Sequence, residues 1–218
     1  MSAIGIFGGT FDPIHCGHLC LAQEVSVQLG LQTVRFVPSG TPPHRVPPKA
    51  SAAHRLAMVE AAIADNPRFV VDASEVHKRE PCYTVDSLQV LRQSLGATQP
   101  LVLLMGADAF LELATWSRWH QLFTLAHIAV AYRPGFPVDT WQARMPQPLA
   151  AEYNARLVRQ PQAIHWSPAG GVVVTPITAL DVAATRIRDM MRQDGAARYL
   201  VTDKIYQYIQ EHKLYMGD

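Results

Sequence analysis

Short apolar runs alternate along this chain with segments whose apolar residues recur at the spacing of an α-helix. Because strands that alternate with helices are joined by crossover connections, this pattern predicts an α/β fold: a mainly parallel sheet, flanking helices and a small C-terminal helical part. The predicted strands are residues 4–7, 34–37, 69–71, 101–105, 128–132 and 172–174. The predicted helices are residues 19–29, 51–65, 84–95, 185–191 and 203–212.

The segment at about residues 134–171 interrupts this alternation with repeated prolines. A possible helix within it covers residues 149–158. We interpret the segment as an insertion within a single domain that spans residues 1–218, rather than as a second domain.

Composition excludes several classes of protein. The 218 residues contain 19 Lys and Arg against 18 Asp and Glu, a formal net charge of +1, and 49% of them are hydrophobic. A disordered chain needs low hydrophobicity and high net charge, and a nucleic-acid-binding surface usually shows a basic excess. No apolar run approaches the ~20 residues of a membrane span, and the N-terminus has no signal-peptide pattern. With three cysteines in no even framework, we expect a cytoplasmic protein that binds neither membranes nor nucleic acid.

The most informative segment lies between the first strand and the first helix and reads Gly8-Gly9-Thr10-Phe11-Asp12-Pro13-Ile14-His15-Cys16-Gly17-His18. In open α/β sheets, ligands bind beyond the carboxyl ends of the strands, and the N–H groups of a helix start suit phosphate. The glycines let a ligand come close to the backbone. His15 and His18 can both donate hydrogen bonds to one phosphate, and protonation would strengthen those bonds.

A zinc site is the alternative at this segment, since His15, Cys16, His18 and Cys20 are zinc ligands by type. The two cysteines, however, share a helical face that is offset from the two histidines, and the sequence has no second ligand cluster. The dinucleotide-binding pattern GxGxxG is not formed either. We therefore favour phosphate binding and expect no metal site made of protein side chains.

The same eleven residues resemble the signature of the nucleotidyltransferase superfamily with the HxGH motif. Within it, the chain is similar to the bacterial nicotinate-nucleotide adenylyltransferase family from about residue 4 to residue 214. The family pattern ISSTxIR has serines where this chain has Ala183 and Ala184, so hydroxyl contacts are not expected there. The segments that carry this narrower resemblance are Pro42-Pro43-His44-Arg45, Tyr83-Thr84-Val85-Asp86-Ser87, Gly106-Ala107-Asp108, Trp116 with Trp119, and Val182-Ala183-Ala184-Thr185-Arg186-Ile187-Arg188.

The resemblance implies a Rossmann-like, doubly wound fold and the transfer of an adenylyl group from ATP to nicotinate mononucleotide in NAD biosynthesis. The products would be nicotinate adenine dinucleotide and pyrophosphate. The acceptor phosphate is already an anion, so it would attack the α-phosphorus in line, without a general base or a covalent intermediate. Mg²⁺, held mainly by the ATP phosphates and water, would be the cofactor.

For ATP, the resemblance implies that His15, His18 and Arg188 are catalytic, with the guanidinium on the β and γ phosphates. Asp108 would accept hydrogen bonds from the ribose hydroxyls, and Ile187 would pack near the adenine. The full expected ATP set is Gly8, Gly9, Thr10, Phe11, His15, His18, Gly106, Asp108, Thr185, Ile187 and Arg188.

For the acceptor, Trp116 is the candidate stacking platform for the pyridine ring, and simple core packing is the alternative. Tyr83 and Thr84 lie at a helix start, where backbone N–H groups suit a carboxylate, although Thr84 can equally serve only as the N-cap. Arg133 and Arg45 are candidates for phosphate contacts, and His44 is either a phosphate contact or an ordinary loop residue. The full expected acceptor set is His44, Arg45, Tyr83, Thr84, Trp116 and Arg133.

Two other functions stay open at this point. The first is a sister adenylyltransferase that acts on phosphopantetheine or on a nicotinamide nucleotide. The phosphopantetheine enzymes usually have Thr or Ser at the position of His15, which favours the nicotinate branch. The second is a nucleotide-binding sensor without turnover, which the replacement of the family serines by Ala183 and Ala184 leaves open.

Overall fold

Six strands form the sheet in this computed structural model, which describes residues 1–41, 47–78, 80–133, 138–193 and 197–216. The strands are hydrogen-bonded in the order β3-β2-β1-β4-β5-β6. The sheet is parallel, and helices flank it, so the predicted α/β, Rossmann-like class is confirmed. The strand bounds are β1 Ile4–Gly9, β2 Thr33–Pro38, β3 Phe69–Val71, β4 Leu101–Gly106, β5 His127–Tyr132 and β6 Val172–Pro176.

The strand order reverses between β1 and β4, which pair in parallel with Ile4 opposite Leu101 and Ile6 opposite Leu103. In doubly wound sheets this reversal opens a crevice at the carboxyl ends of the two strands, and ligands bind there. Here those ends are the glycines that close β1 and β4.

The helices predicted from the sequence begin and end within three residues of the observed ends, because local signals define those ends. The short helices Ala107–Leu111, Leu122–Leu125 and Trp141–Arg144 were not predicted. The Ser51 side chain accepts a hydrogen bond from the backbone N–H of His54, and Gly30 and Gly96 end their helices at φ values of 60° and 97°. The α-helices are α1 Cys16–Leu29, α2 Ala52–Ile63, α3 Thr84–Leu95, α4 Ala107–Leu111, α5 Leu122–Leu125, α6 Trp141–Arg144, α7 Gln147–Arg156, α8 Ala184–Gln193 and α9 Asp203–Glu211.

The chain divides into two compact units. The first comprises Met1–Gly8, Leu21–Arg35 and Tyr83–Ala179, and the second comprises Gly9–Cys20, Phe36–Cys82 and Leu180–Asp218. The single-domain organisation stays a prediction.

The segment predicted as an insertion contributes to the core of the first unit. Its described part contains α6 and α7 and connects β5 to β6. Trp141 at the start of α6 is fully buried, with its ring 6.3 Å from that of Phe110 and 6.5 Å from that of Tyr153.

In the second unit, α2 and α9 contact each other, and Met58, Val59, Ile205 and Ile209 on these two helices are all buried. Among the residues described, no helix has the length and apolar character needed to cross a membrane.

Candidate active site

Two histidines stack at the start of α1, in the loop that we call the histidine loop (residues 9–18). The ring centroids of His15 and His18 lie 3.7 Å apart with 24° between the ring planes. A Cβ atom on Gly17 would lie 3.1 Å from Nδ1 of His15, which is tighter than an ordinary contact. Glycine at this position therefore leaves room for the His15 ring to lie against the backbone.

Burial makes both imidazoles neutral. It lowers the pKa of His15 from 6.5 to about 4. The pKa of His18 lies well below its ordinary value, first through burial and then through the neighbouring charge of His15. Near neutral pH the two rings are therefore neutral donors, without the strengthening of a phosphate contact that protonation would give. Each neutral ring has one N–H to donate, and Nδ1 of His18 accepts from the backbone N–H of His15 at 3.3 Å.

The N–H groups at the start of α1 are partly used within the protein. The backbone N–H of Cys16 donates to the carbonyl of Leu200, and that of His18 donates to the carbonyl of His15, both at 2.9 Å. The idea of a helix start with free donors therefore does not hold for these two groups. At this loop the imidazole N–H groups are better candidates for anion contacts.

Phe11 packs against His18 within the histidine loop. Its side chain is 2% exposed, and its ring meets the ring of His18 edge-on at 5.1 Å. Its φ of 51° lies in the left-handed region, which is uncommon for a residue other than glycine. A Cβ atom on Gly9 would lie 2.9 Å from the Phe11 ring, so the close fit depends on a glycine there.

Arg55 of α2 fixes the backbone around the histidine loop. Its side chain is buried, and its guanidinium donates to the carbonyls of Thr10 at 2.7 Å, Gly40 at 2.8 Å and Ala50 at 3.3 Å. A buried guanidinium is stable only when its N–H groups are paired. These three bonds join the histidine loop to the segments after β2 and before α2.

Asp12 ties the same loop to the segment before α2 from the other side. Its carboxylate accepts from the backbone N–H groups of Lys49 at 2.8 Å and Ala50 at 3.0 Å. The Tyr215 hydroxyl also donates to this carboxylate, at 2.7 Å. Arg188 of α8 donates through Nη1 to the Asp12 carbonyl at 2.6 Å.

Three of the expected ATP residues lie on α8. Nη2 of Arg188 donates to the hydroxyl of Thr185 at 3.1 Å, so the two side chains support each other. Thr185 is exposed, whereas Ile187 is fully buried. The Ile187 side chain therefore packs inside the protein.

The first unit holds a second group of the expected ATP residues. Gly8 and Gly106 have open space where a Cβ atom would be, with nothing within 4 Å. Asp108 is exposed, and its carboxylate lies 3.8 Å from Nη2 of Arg133. The structure thus brings together Asp108 and Arg133, which the sequence analysis assigned to different substrates.

The expected acceptor residues in the first unit lie at the start of α3 and after α4. Tyr83 occupies the N-cap position in an extended conformation, and its carbonyl accepts from the N–H groups of Asp86 and Ser87. Thr84 is therefore the first helical residue, and the alternative that it is the N-cap is wrong. Trp116 is half-buried.

A residue that we had not predicted lies beside Tyr83. Nη2 of Arg118 lies 2.8 Å from the Asp86 carboxylate, and its guanidinium carbon lies 5.9 Å from the centroid of the Tyr83 ring. Arg118 has a φ of 51°, so its backbone is also in the left-handed region. His44 and Arg45 lie outside the described residues.

Sequence reasoning assigned no role to Arg55, Asp12 or Tyr215. The sequence contained a signal for Arg55, because it is spaced with Met58, Val59 and Ile63 on the buried face of α2. A charged residue in such a series indicates a buried polar contact. Within the described part of the chain, no group of three or more His, Cys, Asp or Glu side chains could hold a metal ion.

Comparisons with known proteins show the family to which the chain belongs. A model of the cytidylyltransferase-like family matches residues 6–189. A protein of Dechloromonas aromatica named "Probable nicotinate-nucleotide adenylyltransferase" is 50% identical over 97% of this chain and 97% of its own. A Halorhodospira halophila protein of the same name is 40% identical over 97% of this chain and 94% of its own.

Solved structures show the same fold. The Plasmodium falciparum nicotinic acid mononucleotide adenylyltransferase complexed with NaAD superposes with a TM-score of 0.73 at 15% identity. The match covers 99% of this chain and 98% of that one.

Arg55→Lys tests whether the guanidinium holds the loop. Lysine keeps the charge but has a compact head that cannot reach three carbonyls at once. We expect the free energy of unfolding to fall by about 1.5–3 kcal/mol, as for lost hydrogen bonds to a charged group, measured by urea denaturation. The matched control is Arg198→Lys on the exposed Arg198, which we expect to change it by less than about 0.5 kcal/mol. Equal losses in the two variants would contradict this role.

Histidine titration tests the neutrality of the stacked pair. His15 binds its proton near pH 4 in the folded state but near 6.5 when unfolded, so the unfolded chain binds more protons between these values. The contribution of the neutral His15 ring to the free energy of unfolding is fully present above pH 6.5. It falls by as much as about 3 kcal/mol as the pH decreases to about 4. Nitrogen-15 NMR should show a neutral His15 ring at pH 6, and His15→Asn should reduce the loss of stability. A charged ring at pH 6 would contradict this account.

Proposed function

Because the chain belongs to the cytidylyltransferase-like family, we propose that it transfers the adenylyl group of ATP to nicotinate mononucleotide, releasing pyrophosphate and forming nicotinate adenine dinucleotide. It is a nucleotidyltransferase of NAD biosynthesis, as its relatives of 50% and 40% identity are named. The observation that carries the proposal is the stacked pair His15 and His18 on a loop joined directly to Arg188.

The histidine loop is proposed to bind the ATP phosphates. The neutral rings of His15 and His18 each donate one N–H hydrogen bond, and His18 contacts the reacting α-phosphate. The positive charge comes from Arg188, whose planar guanidinium suits the β and γ phosphates. Because the two imidazoles stay neutral and the guanidinium stays protonated near pH 7, the charge of the site does not change with pH in this range. Thr185 supports Arg188 through its hydroxyl, and Thr10 and Gly9 contribute backbone atoms.

The open backbone at Gly8 and Gly106 is proposed to face the nucleotide. Asp108 accepts hydrogen bonds from the ribose hydroxyls. Arg133 contacts both this carboxylate and the acceptor phosphate. Phe11 and Ile187 are both buried, so we assign Phe11 to support of His18. Any contact of Ile187 with adenine would come from its backbone.

The acceptor is proposed to bind at the start of α3. The backbone N–H groups of Tyr83 and Thr84 lie at a helix start, and the positive end of the helix dipole there suits the pyridine carboxylate. Trp116, which is half-buried, is proposed to stack on the pyridine ring. His44 and Arg45 are proposed to contact the acceptor phosphate.

In the proposed reaction, an oxygen of the acceptor phosphate attacks the α-phosphorus of ATP in line. A bond forms between them as the bond to the β-phosphate oxygen breaks, and its electron pair leaves with pyrophosphate. The nucleophile is already an anion, so no residue needs to remove a proton. Catalysis then consists of positioning and of hydrogen bonds and charge directed at the transition state.

Enzymes of this kind use a divalent metal ion. We propose that the ion is Mg²⁺ and that the phosphates of ATP and water would supply most of its ligands. We place the activity in the cytoplasm, because Cys16, Cys20 and Cys82 are present as thiols, as a reducing compartment keeps them.

Pyrophosphate release tests the proposed function. The protein is incubated with ATP, Mg²⁺ and either nicotinate or nicotinamide mononucleotide, and pyrophosphate is measured through a coupled pyrophosphatase. We expect turnover with nicotinate mononucleotide and a lower kcat/KM with the amide. His18→Ala should lower kcat on the order of a hundredfold, as the loss of one transition-state donor does. The exposed His77 provides the control, since His77→Ala should keep the wild-type rate. Absence of turnover with either acceptor would overturn the proposal.

Gly106→Ala tests the open backbone at the end of β4. Gly106 has a φ of −75° and a ψ of 159°, which alanine adopts without strain, and the added Cβ has no protein atom within 4 Å. We therefore expect the melting temperature to stay within about 2 °C of wild type, as for a surface change. If ATP fills this space, its KM should rise at least about tenfold, which corresponds to about 1.4 kcal/mol of lost binding. An unchanged KM for ATP would show that the nucleotide does not approach Gly106.

A further inference from the structure

We propose that Tyr215, in the segment that follows α9, is a positioning residue for ATP. Its hydroxyl donates a hydrogen bond to the Asp12 carboxylate, and the Arg188 guanidinium therefore stays available to the triphosphate. This inference rests on the proposed function, because it concerns the residues assigned there to ATP. It concerns the second unit alone, which contains all three side chains.

The chain after α9 turns back so that the tyrosine meets the histidine loop. The N–H of Leu214 donates to the carbonyl of Ile209 at 2.9 Å, and Lys213 and Tyr215 have φ values of 51° and 61°. Left-handed conformations are unfavourable for residues with a Cβ and persist where surrounding contacts hold them. The contact here is the 2.7 Å bond from the Tyr215 hydroxyl to Oδ1 of Asp12, between residues 203 positions apart.

The hydrogen bonds of the Asp12 carboxylate come from neutral donors, and the Arg55 guanidinium interacts with it electrostatically. Oδ1 accepts from the Tyr215 hydroxyl and from the backbone N–H of Ala50, and Oδ2 accepts from the backbone N–H of Lys49. Asp12 is only 6% exposed, so water has little access to its carboxylate. Its demand for donors is therefore met mainly by the protein.

Arg188 lies beside this carboxylate without a short ion pair to it. Nη1 of Arg188 is 3.8 Å from Oδ2 of Asp12, whereas it donates to the Asp12 main-chain carbonyl at 2.6 Å. Nη2 donates to the Thr185 hydroxyl. Of the five N–H groups of a guanidinium, these two bonds use two, which orients the plane of the group.

Removal of the Tyr215 hydroxyl would change the contacts between Asp12 and Arg188. Oδ1 would lose a donor in a nearly dry site. Two guanidinium groups interact with Asp12, but that of Arg55 is held by three carbonyls, so Arg188 is the cation that can move closer to the carboxylate. A closer pair with Asp12 would draw the guanidinium away from phosphate. Burial and then the Asp12 carboxylate raise the pKa of Tyr215, so its hydroxyl keeps the proton that it donates.

Tyr215→Phe tests this inference, with Tyr208→Phe as the matched control. Tyr208 belongs to α9, is also half-buried, and has its hydroxyl 2.9 Å from Nδ1 of His54, away from Asp12 and Arg188. Each variant thus loses one hydroxyl hydrogen bond in the C-terminal part. Tyr215→Phe should raise the KM for ATP about tenfold, as when a hydrogen bond to a charged group is lost, with the KM for nicotinate mononucleotide within twofold. Tyr208→Phe should leave both constants within twofold.

A second variant, a chain that ends at Leu214, should reproduce the selective rise in the KM for ATP. Equal rises for the two substrates, or no rise, would overturn the proposal and leave Tyr215 as an anchor for the terminus. Failure of both variants to fold would overturn it too, because the tyrosine would then hold the fold rather than position Arg188. If the wild-type protein shows no turnover, the proposed function fails, and the dissociation constant of ATP for Tyr215→Phe against wild type still decides the role of Tyr215.

Discussion

The buried guanidinium of Arg55 is the interaction on which the histidine loop depends. It holds the carbonyl of Thr10 within that loop and the carbonyls of Gly40 and Ala50 in the two flanking segments. Loop carbonyls cannot form ladder or helix bonds with one another, so a buried loop needs a donor with several N–H groups in a fixed geometry. With Arg55 in place, Phe11 is held in its left-handed conformation, and the His18 ring lies against the ring of Phe11.

The same burial that stabilises the loop decides the electrostatics of the histidines. Because His15 and His18 are neutral, they can donate hydrogen bonds without contributing charge, and the positive charge proposed to meet the triphosphate is that of Arg188. A net charge of +1 over the whole chain is compatible with this arrangement, since an anion is attracted by the few groups that surround it. The overall balance argues against an extended nucleic-acid surface but not against a triphosphate.

Local patterns in the sequence predicted the positions of the six strands and the ends of the longer helices, because Ser51, Gly30 and Gly96 act on their own neighbours. The parts that could not be predicted depend on contacts between residues far apart in the chain. Tyr215 meets Asp12 across 203 positions, and no local periodicity encodes such a bond. For a related reason the sequence did not predict that the two histidines are neutral, since burial is a property of the folded chain.

The replacement of the family serines by Ala183 and Ala184 is understandable from the start of α8. The N–H of Ile187 donates to the carbonyl of Ala183, so the helix begins with the N–H groups of residues 184–186 outside this repeating pattern. Those groups belong to the backbone and are present whichever side chains precede them. Arg188 is oriented by Thr185 and by the Asp12 carbonyl, and neither contact requires a hydroxyl at the two alanines. The double alanine therefore removes two donors from the edge of the proposed phosphate site while leaving the orientation of its guanidinium intact, which argues for turnover rather than for a sensor.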